Sequence, residues 1–268
     1  MGDAKKKWLQ EIVVFMAIAF FLPFIAITIL HVFTIPSAGI WLYLITGIAM
    51  LSPILGGIIS LLIFRGKTRT LIYFKAVFSR KFPIYLTVLA FIVPALAMLI
   101  GRLLCYDSEQ LLPFISMPTT LVTAIWSPIG EEFGWRGFLR EHLRSRAGLV
   151  ITIVCISAIW CAWHYWLFLI PDKFKIEIPI LWFFIGCVAD TVWMIWLVEK
   201  AKGSICPAMI YHFSYNLFYN CIPIKPEFYA GSIKAYAVLS IVILGSGIIA
   251  FILDRILNHQ KGLYAKTS

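Results

Sequence analysis

Apolar residues run along this chain in long blocks broken by short polar stretches, rather than recurring at the spacing of a half-buried helix or strand. A helix needs about 20 apolar residues to cross roughly 30 Å of hydrocarbon. Eight blocks meet that test: residues 12–30, 39–64, 83–101, 111–139, 149–170, 178–198, 204–222 and 232–253. The pattern predicts an all-α, polytopic membrane protein, a bundle of about eight transmembrane helices. No segment between the blocks is long enough for a second domain, so residues 1–268 read as one membrane domain. Prolines 23, 53, 94, 113, 118, 128 and 207 fall within or at the ends of these blocks, where neighbouring helices can satisfy the backbone groups they free. Pro128, three residues before Glu131, is a candidate kink. Trp8, Trp193 and Trp196 fall near expected membrane interfaces, where aromatic belts are common.

Composition agrees with the pattern. The chain is 61% hydrophobic and 13% charged, against about 25% charged in a soluble domain. The net charge of +10 follows topology, not nucleic-acid binding. With the N-terminus inside, inner segments hold 17 of the 23 Lys and Arg and outer ones hold 5, while Arg136 lies within a block. That asymmetry predicts an integral, multi-pass protein with both termini in the cytoplasm. Lys5–Lys7 precede an apolar run too long for a signal-peptide core, and no small-residue cleavage site follows, so the run reads as a retained helix. The six cysteines form no C-x-x-C pair and read as packing residues.

The fourth block is the exception. Glu131, Glu132 and Arg136 put three formal charges inside spanning sequence, each costing about 2.5–3.5 kcal/mol at a helix centre. Glu132 and Arg136 stand four apart and can pair on one helical face. Glu131 points about 100° away and stays available. A purely structural Glu–Arg clamp would leave Glu131 unexplained. His164 follows Trp160 by four residues in the fifth block; Trp163 and Trp166 read as packing or lipid-facing. In the seventh block His212 and Asn216, also four apart, offer an imidazole and an amide, suited to an oxyanion clamp or a helix contact. Helical rise places Glu131 and His212 each roughly 13 Å from the inner end and His164 roughly 24 Å. The lean of side chains toward their own helix N-termini narrows that difference.

A carboxylate withheld from water can serve as a general base near neutrality. Glu131, helped by His164, could activate a water against a peptide carbonyl, with His212 and Asn216 stabilising the oxyanion. No cofactor is needed for this. A zinc ion held by Glu131, His164 and His212 is the alternative. No serine elbow and no H-E-x-x-H helix are present. Asp190, within the sixth block, suggests a membrane transporter as a rival, or else an interhelical hydrogen bond.

The strings E-E-x-x-x-R-G-F-L at Glu131–Leu139, W-x-x-x-H at Trp160–His164 and H-x-x-x-N at His212–Asn216 resemble the signature blocks of the CAAX-protease and bacteriocin-processing (ABI) family of intramembrane proteases. The lead-in from Gly203 to His212 is similar too. The likeness covers residues 115–220, with Trp160 standing where that family usually has phenylalanine. It implies a catalytic core in which Glu131 and His164 activate water, His212 and Asn216 form the oxyanion site, and Glu132 and Arg136 support it. The substrate implied is a membrane-anchored or prenylated peptide, reached from the bilayer through a cavity opening toward the cytoplasmic leaflet. Peptide processing, or bacteriocin immunity without catalysis, is the alternative within the same fold.

Overall fold

In the computed structural model, residues 3–35, 40–105, 117–170 and 178–267 are described, and all regular structure among them is helical. Each apolar block of the sequence becomes a helical rod. These are α1 (Asp3–Val32), α2 (Ile40–Met50) joined to α3 (Ser52–Ser79), and α4 (Ile84–Cys105). Next comes α5 (Met117–Glu132), continuing through a π-helix (Phe133–Leu139) into α6 (Arg140–Arg144). Then follow α7 (Leu149–Trp163) with a 3₁₀ turn (His164–Leu169), α8 (Ile180–Lys200), α9 (Cys206–Cys221) and α10 (Lys234–Thr267). The start of the fourth block, 111–116, and the connections holding Lys173 and Lys175 lie outside the described residues.

Five rods are long and apolar enough to span a membrane alone, or six when α2 and α3, bent by 42°, count together. The two that fall short of the expected eight are the α5–π rod and α9, which carry the acidic box and His212. A 16-residue α9 is only about 24 Å long. Their charged groups are enclosed by protein: Glu131, Glu132, Arg136 and His212 are all buried. α9 packs against α4, α5 and α8, while α5 and the π-helix lie on α3. Polar groups at membrane depth are tolerated where they face protein or a cavity rather than lipid.

The α2–α3 break makes room for this core. Pro53, in the first turn of α3, starts a new helix after Leu51. Gly130 and Gly134 pack into the corner. A Cβ on Gly134 would lie 2.5 Å from the Pro53 carbonyl oxygen, and one on Gly130 would strike the Met50 carbonyl. This is small-xxx-small packing, in which backbones approach because no side chain intervenes. It presses one face of the α5–π rod onto α3 and frees the adjoining face for Glu131. Phe133 fills the seam against Phe74 and Tyr73, and Trp135 packs edge-on to Phe15 and Trp163.

Several local expectations change. The winding alters at Phe133, after the acidic box rather than at Pro128. The basic stretch after residue 64 stays helical to Ser79, broken only at Gly66, whose φ of +78° falls in the left-handed region that favours glycine. Trp193 and Trp196 are buried, not interfacial; the Trp193 indole donates to the Ile243 carbonyl at 3.0 Å, tying α8 to α10. Trp163 and Trp166 are buried too, so they pack rather than meet lipid. All six cysteines are free.

Candidate active site

The fourth rod turns both glutamates inward, and each finds different partners. Glu132 is fully buried, and its Oε1 accepts from Arg136 Nη1 at 3.1 Å and from His212 Nδ1 at 2.8 Å. Arg136, equally buried, also donates to Thr191 Oγ1 at 3.3 Å and lies 4.1 Å over the Trp160 ring. Glu131 is buried as well, but its Oε2 accepts from the Trp160 indole N–H at 2.7 Å. One carboxylate thus sits in a charged cluster, while the other is held by a neutral donor.

Trp160 links these groups. Besides Glu131 and Arg136, its ring meets His164 at 5.2 Å and His212 at 5.7 Å, both edge-on. Its carbonyl accepts from His164 Nδ1 at 2.7 Å. A carbonyl can only accept, so His164 Nδ1 carries the proton and Nε2 holds the lone pair. At His212 the Glu132 carboxylate accepts from Nδ1 and so fixes a proton there; Nε2 is then a donor when the ring carries its second proton. The sequence offered Trp160 as a packing platform; the structure adds a hydrogen bond that phenylalanine could not make.

Glu131, His164, His212 and Asn216 line one cavity of about 530 Å³. Thr123, Ser127 and Asp190 also line it. Three rods therefore bring the sequence candidates to a common wall. His164 lines it from the end of α7, where the winding passes into a 3₁₀ turn. Asp190 accepts from the Tyr211 hydroxyl at 2.9 Å, a bond between α8 and α9.

Sequence reasoning missed the extent of the α9 wall. His212, Tyr215, Asn216, Tyr219 and Asn220 all face the cavity. They recur at i, i+3, i+4, i+7 and i+8, the spacing of one helical face. The same signal was readable in the sequence. The zinc alternative finds no such support: among the described residues no group of three His, Cys, Asp or Glu side chains is disposed to hold a metal ion.

The cavity reaches Lys225, Pro226 and Glu227, beyond the C-terminal end of α9, and Glu227 is 56% exposed. The basic residues gather at the opposite end. Arg80 bonds the Lys202 carbonyl before α9 begins, Arg140 and Arg144 pair with Glu199, and Trp8 bonds the His142 carbonyl. The cavity lining thus extends to the end of α9 remote from this basic cluster. His212 sits midway along α9.

Residues 113–218 match the family model "Type II CAAX prenyl endopeptidase Rce1-like". "CAAX prenyl protease 2" of Methanococcus maripaludis is similar, 31% identical over 93 residues, which cover 32% of this chain. The match spans about a third of that relative's length, 34%. The family match falls on the segment that carries the three motifs, and the family resemblance read from them is borne out there.

Proposed function

We propose that this chain is an intramembrane endopeptidase that hydrolyses peptide bonds of membrane-anchored substrates by an activated water. The match to type II CAAX prenyl endopeptidases makes prenylated peptides the first substrate class to try. One observation carries the reading: an uncharged donor holds Glu131 on a cavity wall shared with two imidazole rings, each held through Nδ1, and an amide.

In this mechanism Glu131, helped by His164 Nε2, takes a proton from a water in the cavity. The hydroxide oxygen attacks the scissile carbonyl carbon, and the carbonyl π electrons move to oxygen. His212 Nε2–H and the Asn216 amide stabilise that oxyanion, while Glu132 holds the His212 ring and offsets its positive charge. Collapse of the tetrahedral intermediate breaks the C–N bond. The proton taken by Glu131 passes to the leaving nitrogen, giving a carboxylic acid and an amine. Arg136 pairs with Glu132 and braces Trp160. No step passes through a metal. Asp190 accepts from Tyr211, which favours the interhelical hydrogen bond over the transporter reading. The termini lie in the cytoplasm on the charge asymmetry.

The test is cleavage of lipidated and unlipidated peptide libraries by purified protein, with products identified by mass spectrometry. Glu131→Gln is expected to lower the rate by about 10²–10⁴-fold, the usual contribution of a general base. Cleavage by that variant at the parental rate would reject the assignment.

A further inference from the structure

The break at Gly66 redirects the chain. Gly57 and Phe78 both belong to α3 and would be about 31 Å apart on a straight helix. Yet a Cβ on Gly57 would lie 3.0 Å from the Phe133 ring, and the Phe78 ring centre is 6.3 Å from that of Phe133. The segment after Gly66 therefore turns back across the bundle. Its two ends mark the course. Arg65 pairs with Glu11, near the start of α1, at 2.7 Å. At the far end the Val77 carbonyl accepts from the Ile205 N–H at 3.0 Å, and Arg80 donates to the Lys202 carbonyl. Glu11, Lys202 and Ile205 all stand at the basic end of the molecule. Residues 67–79, about 20 Å of helix, thus lie across that end.

The two faces of this segment differ in kind. Inward, Tyr73, Phe74 and Phe78 pack around Phe133, and Thr70 and Val77 are buried. Outward, at about 100° per residue, the exposed arc reads Lys67, Leu71, Lys75, Ile72 and Arg69, cations alternating with apolar chains. Leu71 is 49% exposed and Ile72 63%. Lys67, Arg69 and Lys75 have no ion pair or hydrogen bond among the described residues, and the exposed Lys81 just beyond has none either. The acids of this end are engaged elsewhere. Glu11 pairs with Arg65 and His142, Glu199 with Arg140 and Arg144, and Asp254 with Lys200. Glu141 faces Arg65 and Tyr73.

A helix lying in a membrane interface sinks its apolar chains into the acyl boundary, while long basic side chains reach back to the headgroups. We propose that residues 67–81 form such an interfacial segment and bind anionic phospholipid headgroups at the basic end of the molecule. Leu71 and Ile72 enter the acyl region, and Lys67, Lys75 and Arg69 close on the phosphates between them. A free phosphate or a nucleic acid would engage the cations and leave both apolar chains in water. An anionic bilayer surface satisfies the whole face. This surface lies outside the catalytic cavity and does not depend on the peptidase reading.

The test titrates the full chain, purified in mild detergent, with phosphatidylglycerol or phosphatidylcholine of identical acyl chains, and counts bound lipids by native mass spectrometry. Each cation near an anionic surface is worth about fivefold, so the first phosphatidylglycerol should bind about tenfold or more tightly than phosphatidylcholine. Lys75→Gln alone should cut that ratio about fivefold, and Lys67→Gln/Arg69→Gln/Lys75→Gln should bring it close to one. Lys5→Gln/Lys6→Gln/Lys7→Gln, which removes the same charge from the start of α1, should keep it. Leu71→Ser/Ile72→Ser should weaken the binding of both lipids, and excess inorganic phosphate should displace neither. Equal affinity of the unaltered protein for the two lipids would overturn the proposal. So would an unchanged ratio in the α3 variants, its loss in the Lys5–Lys7 variant, or displacement of phosphatidylglycerol by inorganic phosphate.

Discussion

Removing Arg136 tests whether the buried charge cluster organises the site. Arg136 and Glu132 are both fully buried, with Nη1 and Oε1 3.1 Å apart. Two unit charges at that distance attract by about 5 kcal/mol at an effective dielectric of about 20. Removing one partner of a buried pair costs about 3–5 kcal/mol, because the other charge is left in a poor solvent. His212 still bonds Glu132, which moderates the loss, but the contacts to Thr191 and Trp160 go too. We expect Arg136→Gln to destabilise by about 3–4 kcal/mol, which lowers Tm by roughly 10 °C for a chain of this size. Thermal unfolding in detergent, followed by tryptophan fluorescence and size exclusion, reads the shift. Glu132→Gln/Arg136→Gln should recover part of it, since no unpaired carboxylate remains. Arg136→Lys should recover little, because lysine lacks the planar fork that reaches Glu132 and Thr191 while stacking on Trp160. A Tm change within about 2 °C for Arg136→Gln would refute the cluster's structural role.

Three further outcomes follow from the geometry. Gly134→Ala should destabilise by about 1–3 kcal/mol or abolish expression, since its methyl would sit 2.5 Å from the Pro53 carbonyl oxygen; an unchanged Tm would show that the contact yields. On intact cells, a Glu227→Cys variant should react with a membrane-impermeant maleimide, whereas a Lys67→Cys variant should react only after lysis; the reverse pattern would invert the assigned topology. Chelators should leave peptide cleavage by the purified protein within about twofold of the untreated rate, and loss of activity restored by zinc would return a metal to the mechanism.

The hydrophobic pattern by itself determined the class, the eight rods and their order, because a spanning helix is a local property set by about 20 consecutive residues. Charge asymmetry along the same chain gave the expected sidedness. The acidic box, His164, His212 and Asn216 stood out because polar groups are costly in apolar surroundings. What depended on the fold was who meets whom. That Trp160 holds Glu131, that Glu132 shares itself between Arg136 and His212, and that the cavity leads to Lys225 rest on contacts between residues 29 to 80 positions apart or on the end of a neighbouring helix. The burial of the charged groups on α5, the π-helix and α9, and that of Trp193 and Trp196, likewise come from neighbours. Sequence spacing fixes the face a residue occupies on its own helix, and only packing between helices decides what that face looks onto.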